Sequence, residues 1–332
     1  MKKRLHRWWM FWVDLFSHQE RGTSIAVFRI AVGCVVLYSL WSVAAAGLVE
    51  TLWVDVKHGG MRHVRGNWFV RKLGGTTPGT VWGLYWAGIV LSGMVIVGVG
   101  GRLSTFLLCQ VYGALVGING DASGGSDSMM LNALWLLTLA KPTATLALDC
   151  RLRDGGWTSE RLISAWPRYL IILQLFIVYG ATGLQKTGIA WTPAGGYSAL
   201  YFALQDPTWT RFDPGIFADL YILTQIGTAI TWHWEQLTPI LLLWFYFRYT
   251  PSPEQPGRLR RWLGRWDLRK PWAIIGVGLH MGILLTMNVG PFSLISMAYY
   301  VCLWRAEEVE AAWARLKRRL RRERATVASD AA

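Results

Sequence analysis

The sequence predicts an all-α fold, a polytopic transmembrane helical bundle of about eight spans, with an N-terminal interfacial helix and a basic C-terminal cytoplasmic helix. Three observations carry this. Hydrophobic residues make up 53% of the 332 and charged residues 16%, where a soluble chain carries roughly 25% charged. The apolar residues fall into blocks near the length of about 20 residues that a bilayer requires. Lysine and arginine, which leave a net charge of +14, crowd between those blocks, as they do in cytoplasmic loops.

The elements follow in order. Arg7-Trp-Trp-Met-Phe-Trp-Val-Asp-Leu-Phe16 is basic, then aromatic, the pattern of a helix lying in the membrane interface. Residues 1–23 therefore form an interfacial amphipathic segment. The first span runs from about Ser24 to Ala46 and is expected to be retained, because Asp14, Glu20 and Arg21 interrupt any short signal-peptide core. Further spans are expected at 81–99, 103–118, 128–146, 168–186, 216–247, 272–289 and 290–305. The block 216–247 is too long for one upright helix; it tilts, kinks near Pro239 or is a broken pair. The transmembrane domain thus covers 24–305, and 306–332 is a basic cytoplasmic tail.

Charge sets the orientation. With the N-terminus inside, the connection from Asn119 to Asp127 lies outside and has no Lys or Arg, and that from Thr187 to Gly215 has only Arg211. The Arg151–Arg168 and Arg248–Lys270 clusters fall inside, as does Arg315-Leu-Lys-Arg-Arg-Leu-Arg-Arg-Glu-Arg324. The first connection, Gly47 to Thr80, disagrees, with five Lys/Arg in an outside loop. Both termini are expected to be cytoplasmic, in the inner membrane. The basic clusters flank spans and form no base-reading motif, so no nucleic-acid partner is expected. The four cysteines show no CxxC and no His/Cys cluster at ligand spacing, so neither a metal nor a disulfide frame is inferred.

Ionisable groups at membrane depth are costly, and each is a site candidate. Five stand out: Arg29, Asp127, Lys186, Glu235 and His280. Lys186 ends an apolar block at the outer end of its helix, with Trp191 after it. It either snorkels to the headgroups or is held in an apolar pocket as a general base. His280 lies two turns inside its helix, with Asn288 two turns further on the same face; a helix–helix hydrogen bond is the plainer reading. Glu235 reads as a buried acid or as the salt-bridge partner of Arg29, and Asp127 as an N-cap after Gly124-Gly125-Ser126.

Several segments resemble a known family. Ile25-Ala-Val-Phe-Arg-Ile-Ala-Val-Gly33, Gly125-Ser-Asp-Ser-Met-Met-Leu-Asn-Ala-Leu-Trp135 with Leu146-Ala-Leu-Asp149, and Leu175-Phe-Ile-Val-Tyr-Gly-Ala-Thr-Gly-Leu-Gln-Lys-Thr-Gly-Ile-Ala-Trp191 with Gly196-Tyr-Ser-Ala-Leu-Tyr201 look like the horizontally transferred transmembrane (HTTM) domain. That domain is also the membrane half of vitamin K-dependent gamma-carboxylase. The resemblance places the carboxylase's catalytic lysine on Lys186, its following Trp on Trp191 and its Gly-Tyr-Ser on Tyr197. The segment from His280 to Phe292 and Ser293 is similar to the carboxylase's His-to-Phe-Ser helix.

The resemblance implies that Lys186 takes a proton from a reduced, vitamin K-like quinone, and that a strong base formed with oxygen removes a carbon-bound proton from a peptide glutamate. Carbon dioxide then traps the carbanion. Gln185 stands where the carboxylase has the first lysine of its pair, and Asp127 where it has an important histidine. The chain ends soon after the last span, where the carboxylase continues into a large soluble domain. Two readings of function result. One is a carboxylase-like membrane enzyme with Lys186 as base and His280, Asp127, Glu235, Trp191, Tyr197 and Asn288 around substrate or quinone. It would act extracytoplasmically on a small molecule or on a secreted peptide or protein. The other is a non-catalytic membrane component: an assembly or maturation partner, a lipid binder or a small-solute permease.

Overall fold

A computed structural model of the chain describes residues 2–250 and 256–330. Residue 1 of the interfacial segment, residues 251–255 of the basic connection before Lys270 and residues 331–332 of the tail lie outside it. Among the described residues there are seventeen α-helices and one two-stranded sheet.

Three helices are long and apolar enough to cross a membrane: Thr23–Ala45, Pro78–Val97 and Trp166–Gln185. Each begins within a few residues of an expected span. The other apolar blocks give shorter or more polar helices. Gly101–Val116 and Gly125–Leu139 have 16 and 15 residues, and at about 1.5 Å per residue each rises less than a ~30 Å hydrocarbon core. The long block 216–247 is a broken pair, Tyr221–Gln236 and Thr238–Tyr249. Pro239 supplies the break: it sits in the first turn of the second helix, where its missing N–H costs nothing. The block 290–305 gives only the nine-residue helix Phe292–Tyr300 and a 3₁₀ turn, Val301–Leu303.

The chain divides into two compact units, residues 1–170 with 301–332, and residues 171–300. In the first, Thr23–Ala45, Pro78–Val97, Gly101–Val116 and Gly125–Leu139 pack side by side around Val32, Val36, Leu108, Leu115, Met130, Leu134 and Leu137, all fully buried. Arg29 is also fully buried here. Its guanidinium donates to the carbonyls of Pro142 (3.1 Å), Ile96 (3.4 Å) and Leu146 (2.6 Å), so it bonds to backbone rather than to the expected Glu235. Gly98 makes room for it. At φ +80° a Cβ there would come within 2.3 Å of Arg29 Nη1 and 2.5 Å of Ala147 Cβ.

The sequence did not announce the short antiparallel sheet, in which Gln19–Arg21 pairs with Leu162–Ser164. It sets Glu20 opposite Ile163 and aims its carboxylate at Arg168, which donates from Nε and Nη2 at 2.6 and 2.7 Å and from Nη1 to the Cys302 carbonyl at 2.9 Å. The helix Lys2–Ser17 exposes Leu5, Trp9, Trp12 and Phe16, which share one face at helical spacing. The C-terminal helix Ala306–Asp330 exposes Trp313, Leu316 and Leu320 among its basic residues and is tied back through Glu310, which accepts from Arg21 (2.8 Å) and Thr23 (2.6 Å).

In the second unit, the helix carried on from Leu170 packs with Tyr221–Gln236, Arg269–Thr286 and Phe292–Tyr300. Its core is aromatic. Trp234 and Trp272 stack at 4.6 Å, Tyr179 meets Trp234 edge-on at 4.6 Å, and Tyr300 meets Trp272 edge-on at 5.4 Å.

Candidate functional site

Lys186 follows the last residue of the helix Trp166–Gln185, where the chain leaves the helix for a loop. An ammonium at a helix C-terminus is favoured by the dipole, but a stronger partner is present. Nζ forms an ion pair with Oε2 of Glu235, and their side chains are 19% and 8% exposed. The close approach has a visible cause. Gly183 presents no side chain, and a Cβ there would lie 2.9 Å from Glu235 Cβ and 3.1 Å from the Gln236 amide nitrogen.

Two further hydrogen bonds lock the end of the helix. Gln236 Nε2 donates to the Gly183 carbonyl at 2.7 Å, and Trp232 Nε1 donates to the Lys186 carbonyl at 3.2 Å. Trp191 completes the surround, its ring centroid 4.9 Å from Nζ, within cation–π range. The amine is thus held between a buried carboxylate and an indole face.

Tyr197 stands at the rim. Its backbone is left-handed, φ +53°. The hydroxyl lies 3.2 Å from His233 Nε2, and the ring lies 6.4 Å from Trp232. Trp191, Tyr197 and Trp232 are half-buried and His233 is exposed.

His280 occupies a second polar group in the same unit. It is 3% exposed. Its Nε2 lies 2.5 Å from the Tyr179 hydroxyl, which is 2.8 Å from the Tyr300 hydroxyl. Its Nδ1 and the Ser293 hydroxyl are buried and have no hydrogen-bond partner. Phe292 packs on the imidazole at 5.6 Å between ring centroids. The expected hydrogen bond between helices is therefore present, with a spare ring nitrogen beside it.

Asn288 is not on the His280 helix. That helix ends at Thr286, and Asn288 is an exposed loop residue whose amide donates to the Trp209 carbonyl at 2.6 Å. The following Gly290 has φ +59° and begins a turn rather than a helical continuation. Asp127 belongs to the first unit, and its carboxylate is engaged there. Oδ2 accepts the Gly124 amide at 2.7 Å and Oδ1 the Tyr112 hydroxyl at 2.5 Å. It closes the first turn of Gly125–Leu139 from the third position of the helix rather than from the cap itself.

Sequence reading passed over Tyr179, Tyr300, Trp232 and Gln236. Tyr179 and Lys186 are seven residues apart, two helical turns on one face, and that spacing was the available signal. Tyr300 had none. Among the described residues no group of three or more His, Cys, Asp or Glu side chains is placed to hold a metal ion.

Comparison with known proteins adds one match. A family model described as the HTTM domain matches residues 18–238. No curated protein and no solved structure matches the chain.

Proposed function

The chain belongs to the HTTM domain family, and on that basis we propose that it is a carboxylase-like membrane enzyme whose base is Lys186, acting at the extracytoplasmic side on a peptide or small molecule. In this reading the chain crosses the inner membrane about eight times and keeps both termini in the cytoplasm, as its charge distribution favours. One observation carries the chemistry. The Lys186 amine is sunk between the Glu235 carboxylate and the Trp191 ring.

In this reading the Glu235 carboxylate, paired with the amine, takes its proton. Passing the proton from Nζ to Oε2 leaves an uncharged amine that can accept a proton from an acidic hydroxyl of a bound molecule. The proton held by Glu235 leaves to water when the site empties, which restores the ion pair. Trp191 covers one side of the amine and so narrows the approach of water, which would quench a strong base. Trp232 holds the Lys186 carbonyl, and with it the start of the side chain.

A reduced, vitamin K-like quinone supplies, when bound, the oxygen-dependent chemistry that generates a base strong enough for a carbon-bound proton. The residues present fit a planar ring. Trp191, Trp232, Tyr197 and His233 give an aromatic, half-open surround, with Trp232 and His233 4.8 Å apart edge-on. Tyr197 and His233 offer a hydroxyl and an imidazole as hydrogen-bonding partners.

A second reading is favoured by the same ion pair. Lys186–Glu235, together with Gln236 to Gly183, also ties the end of one helix to the end of another, as a non-catalytic membrane component would need. The two readings part on Lys186→Ala and Glu235→Gln. For a base, Lys186→Ala lowers turnover per folded molecule by about 10²–10⁴-fold, and Lys186→Met with Glu235→Leu, which restores the stability lost with the pair, does not restore turnover. The assay is mass spectrometry of glutamate-containing peptides co-expressed with the chain, read for the gain of one carbon dioxide. Extraction of the purified protein for a lipid-soluble quinone tests the cofactor separately. Loss of folding without any catalytic readout would leave only the structural tie.

A further inference from the structure

A cleft of about 440 Å³ opens in the first unit, lined by Arg102, Lys141, Pro142, Thr143, Ala144, Arg153, Arg161, Leu162 and Ile163. Four of these nine are cations and none is an acid. The volume is in the range of small-molecule sites. The cations are unequally engaged. Arg102 gives Nε to the Ala140 carbonyl (2.6 Å) and Nη2 to that of Leu139 (3.2 Å), which fixes the guanidinium over the C-terminus of Gly125–Leu139. Arg153 is paired with Asp154 at 3.0 and 2.9 Å. The side chains of Lys141 and Arg161 make no ion pair or hydrogen bond among the described residues. An unpaired lysine, an arginine that makes no hydrogen bond but lies in the field of the Asp154 carboxylate, and one fixed guanidinium in a single cleft are an arrangement for a bound anion with several acceptor oxygens.

The surface beside the cleft identifies the kind of anion. Phe106 lies one turn along the helix from Arg102, and Trp135 one turn back from Leu139, whose carbonyl Arg102 holds. Phe106 and Trp135 meet edge-on at 5.8 Å and are 37% and 44% exposed. Leu103 and Leu139, at 63% and 46% exposure, extend the same strip. An exposed apolar strip thus begins at the cations and runs on about 5 Å deeper per helical turn. A free phosphate would use only the cations. An amphiphile uses both parts.

We propose that this cleft binds the phosphate of an anionic phospholipid, with Arg102, Lys141 and Arg161 on the headgroup and the acyl chains against Leu103, Phe106, Trp135 and Leu139. Basic pockets between membrane helices recognise such headgroups. The site is independent of Lys186 and of any catalytic role.

The test uses the full chain purified in an uncharged detergent. It is titrated with dioctanoyl phosphatidylglycerol, dioctanoyl phosphatidylcholine or inorganic phosphate, read by native mass spectrometry and tryptophan fluorescence. The proposal expects a retained phosphatidylglycerol adduct and only weak binding of the other two. Lys141→Gln with Arg161→Gln removes the two charges whose side chains make no hydrogen bond, at ~1 kcal/mol each, and should weaken the adduct by about thirtyfold. Lys141→Arg with Arg161→Lys should restore it. These positions are exposed and carry no structural hydrogen bonds, so the thermal midpoint without lipid should not move. Equal affinity of wild type and the doubly neutralised variant would overturn the site. Inorganic phosphate or phosphatidylcholine binding as tightly as phosphatidylglycerol would overturn the assignment to an anionic phospholipid.

Discussion

The Tyr179 hydroxyl lies 2.5 Å from His280 Nε2 and 2.8 Å from the Tyr300 hydroxyl, so one buried oxygen joins three elements of the second unit. Removing it deprives both neighbours of a partner at once. A buried donor or acceptor left unpaired costs about 1–3 kcal/mol. Tyr179→Phe, which keeps the ring and its edge-on contacts with Trp234 and Trp272, is therefore expected to destabilise by about that amount. Thermal unfolding in detergent measures it. No change in midpoint would mean that the imidazole and Tyr300 find each other without Tyr179.

Lys186 and Glu235 form the most consequential pair, and a double-mutant cycle separates its parts. Glu235→Ala leaves an ammonium without its carboxylate in a site where the lysine side chain is 19% exposed. Lys186→Met leaves the more deeply buried carboxylate without its ammonium. Breaking a buried pair from one side costs about 3–5 kcal/mol, whereas replacing both sides by apolar groups can be close to neutral. The partial exposure of Lys186 places Glu235→Ala below that range and Lys186→Met within it. Lys186→Met with Glu235→Leu should be more stable than either single variant. Denaturant midpoints for the four proteins decide it, and simple additivity would show that the two groups do not depend on each other.

The long apolar blocks were legible because twenty successive apolar residues have few alternatives to a membrane helix. Thr23–Ala45 against an expected 24–46, and Trp166–Gln185 against 168–186, show it. The block 216–247 was legible as too long for one upright helix, while tilt, a kink near Pro239 and a broken pair stayed open; the structure shows the break, with Pro239 in the first turn of the second helix. Partners were not legible. Helical spacing says which residues share a face but not which element lies opposite, so Glu235 could be assigned to Arg29 on charge alone. Arg29 instead found three carbonyls, and backbone carbonyls have no signature in a sequence. The strand pair at Glu20 and Ile163 is three residues long, too short for alternation to show. Asn288 was placed by extending helical spacing past Thr286, two residues beyond where the backbone leaves the helix.

The Glu20–Arg168 pair should behave as a buried pair in full. Arg168 is 1% exposed, and its guanidinium donates twice to one carboxylate and once to the Cys302 carbonyl. Glu20→Ala strands a charge that cannot reach water. The expected loss is about 3–5 kcal/mol, and Glu20→Gln, which keeps one acceptor, should lose less. Thermal unfolding and the yield of folded protein report it. A loss below 1 kcal/mol for Glu20→Ala would show that water enters the site.

Acid sensitivity should appear in the connection between the first two long helices. Asp55 caps the 3₁₀ turn Val56–His58 by accepting the Lys57 amide at 2.9 Å, and it accepts the Val64 amide at 2.9 Å. The Lys57 amide, with the Val64 amide and His63 beside it, holds this carboxyl below its ordinary value. A carboxyl lowered on folding stabilises the fold at pH above its unfolded value and loses that contribution as the pH falls through its folded value. Asp55→Asn removes the titration while keeping one acceptor oxygen. Wild type is expected to be the more stable at neutral pH, and the two midpoints should converge as the pH drops below the ordinary carboxylate range. Midpoints measured across that range decide the matter: curves that stay parallel would mean that the Asp55 charge contributes nothing to this loop.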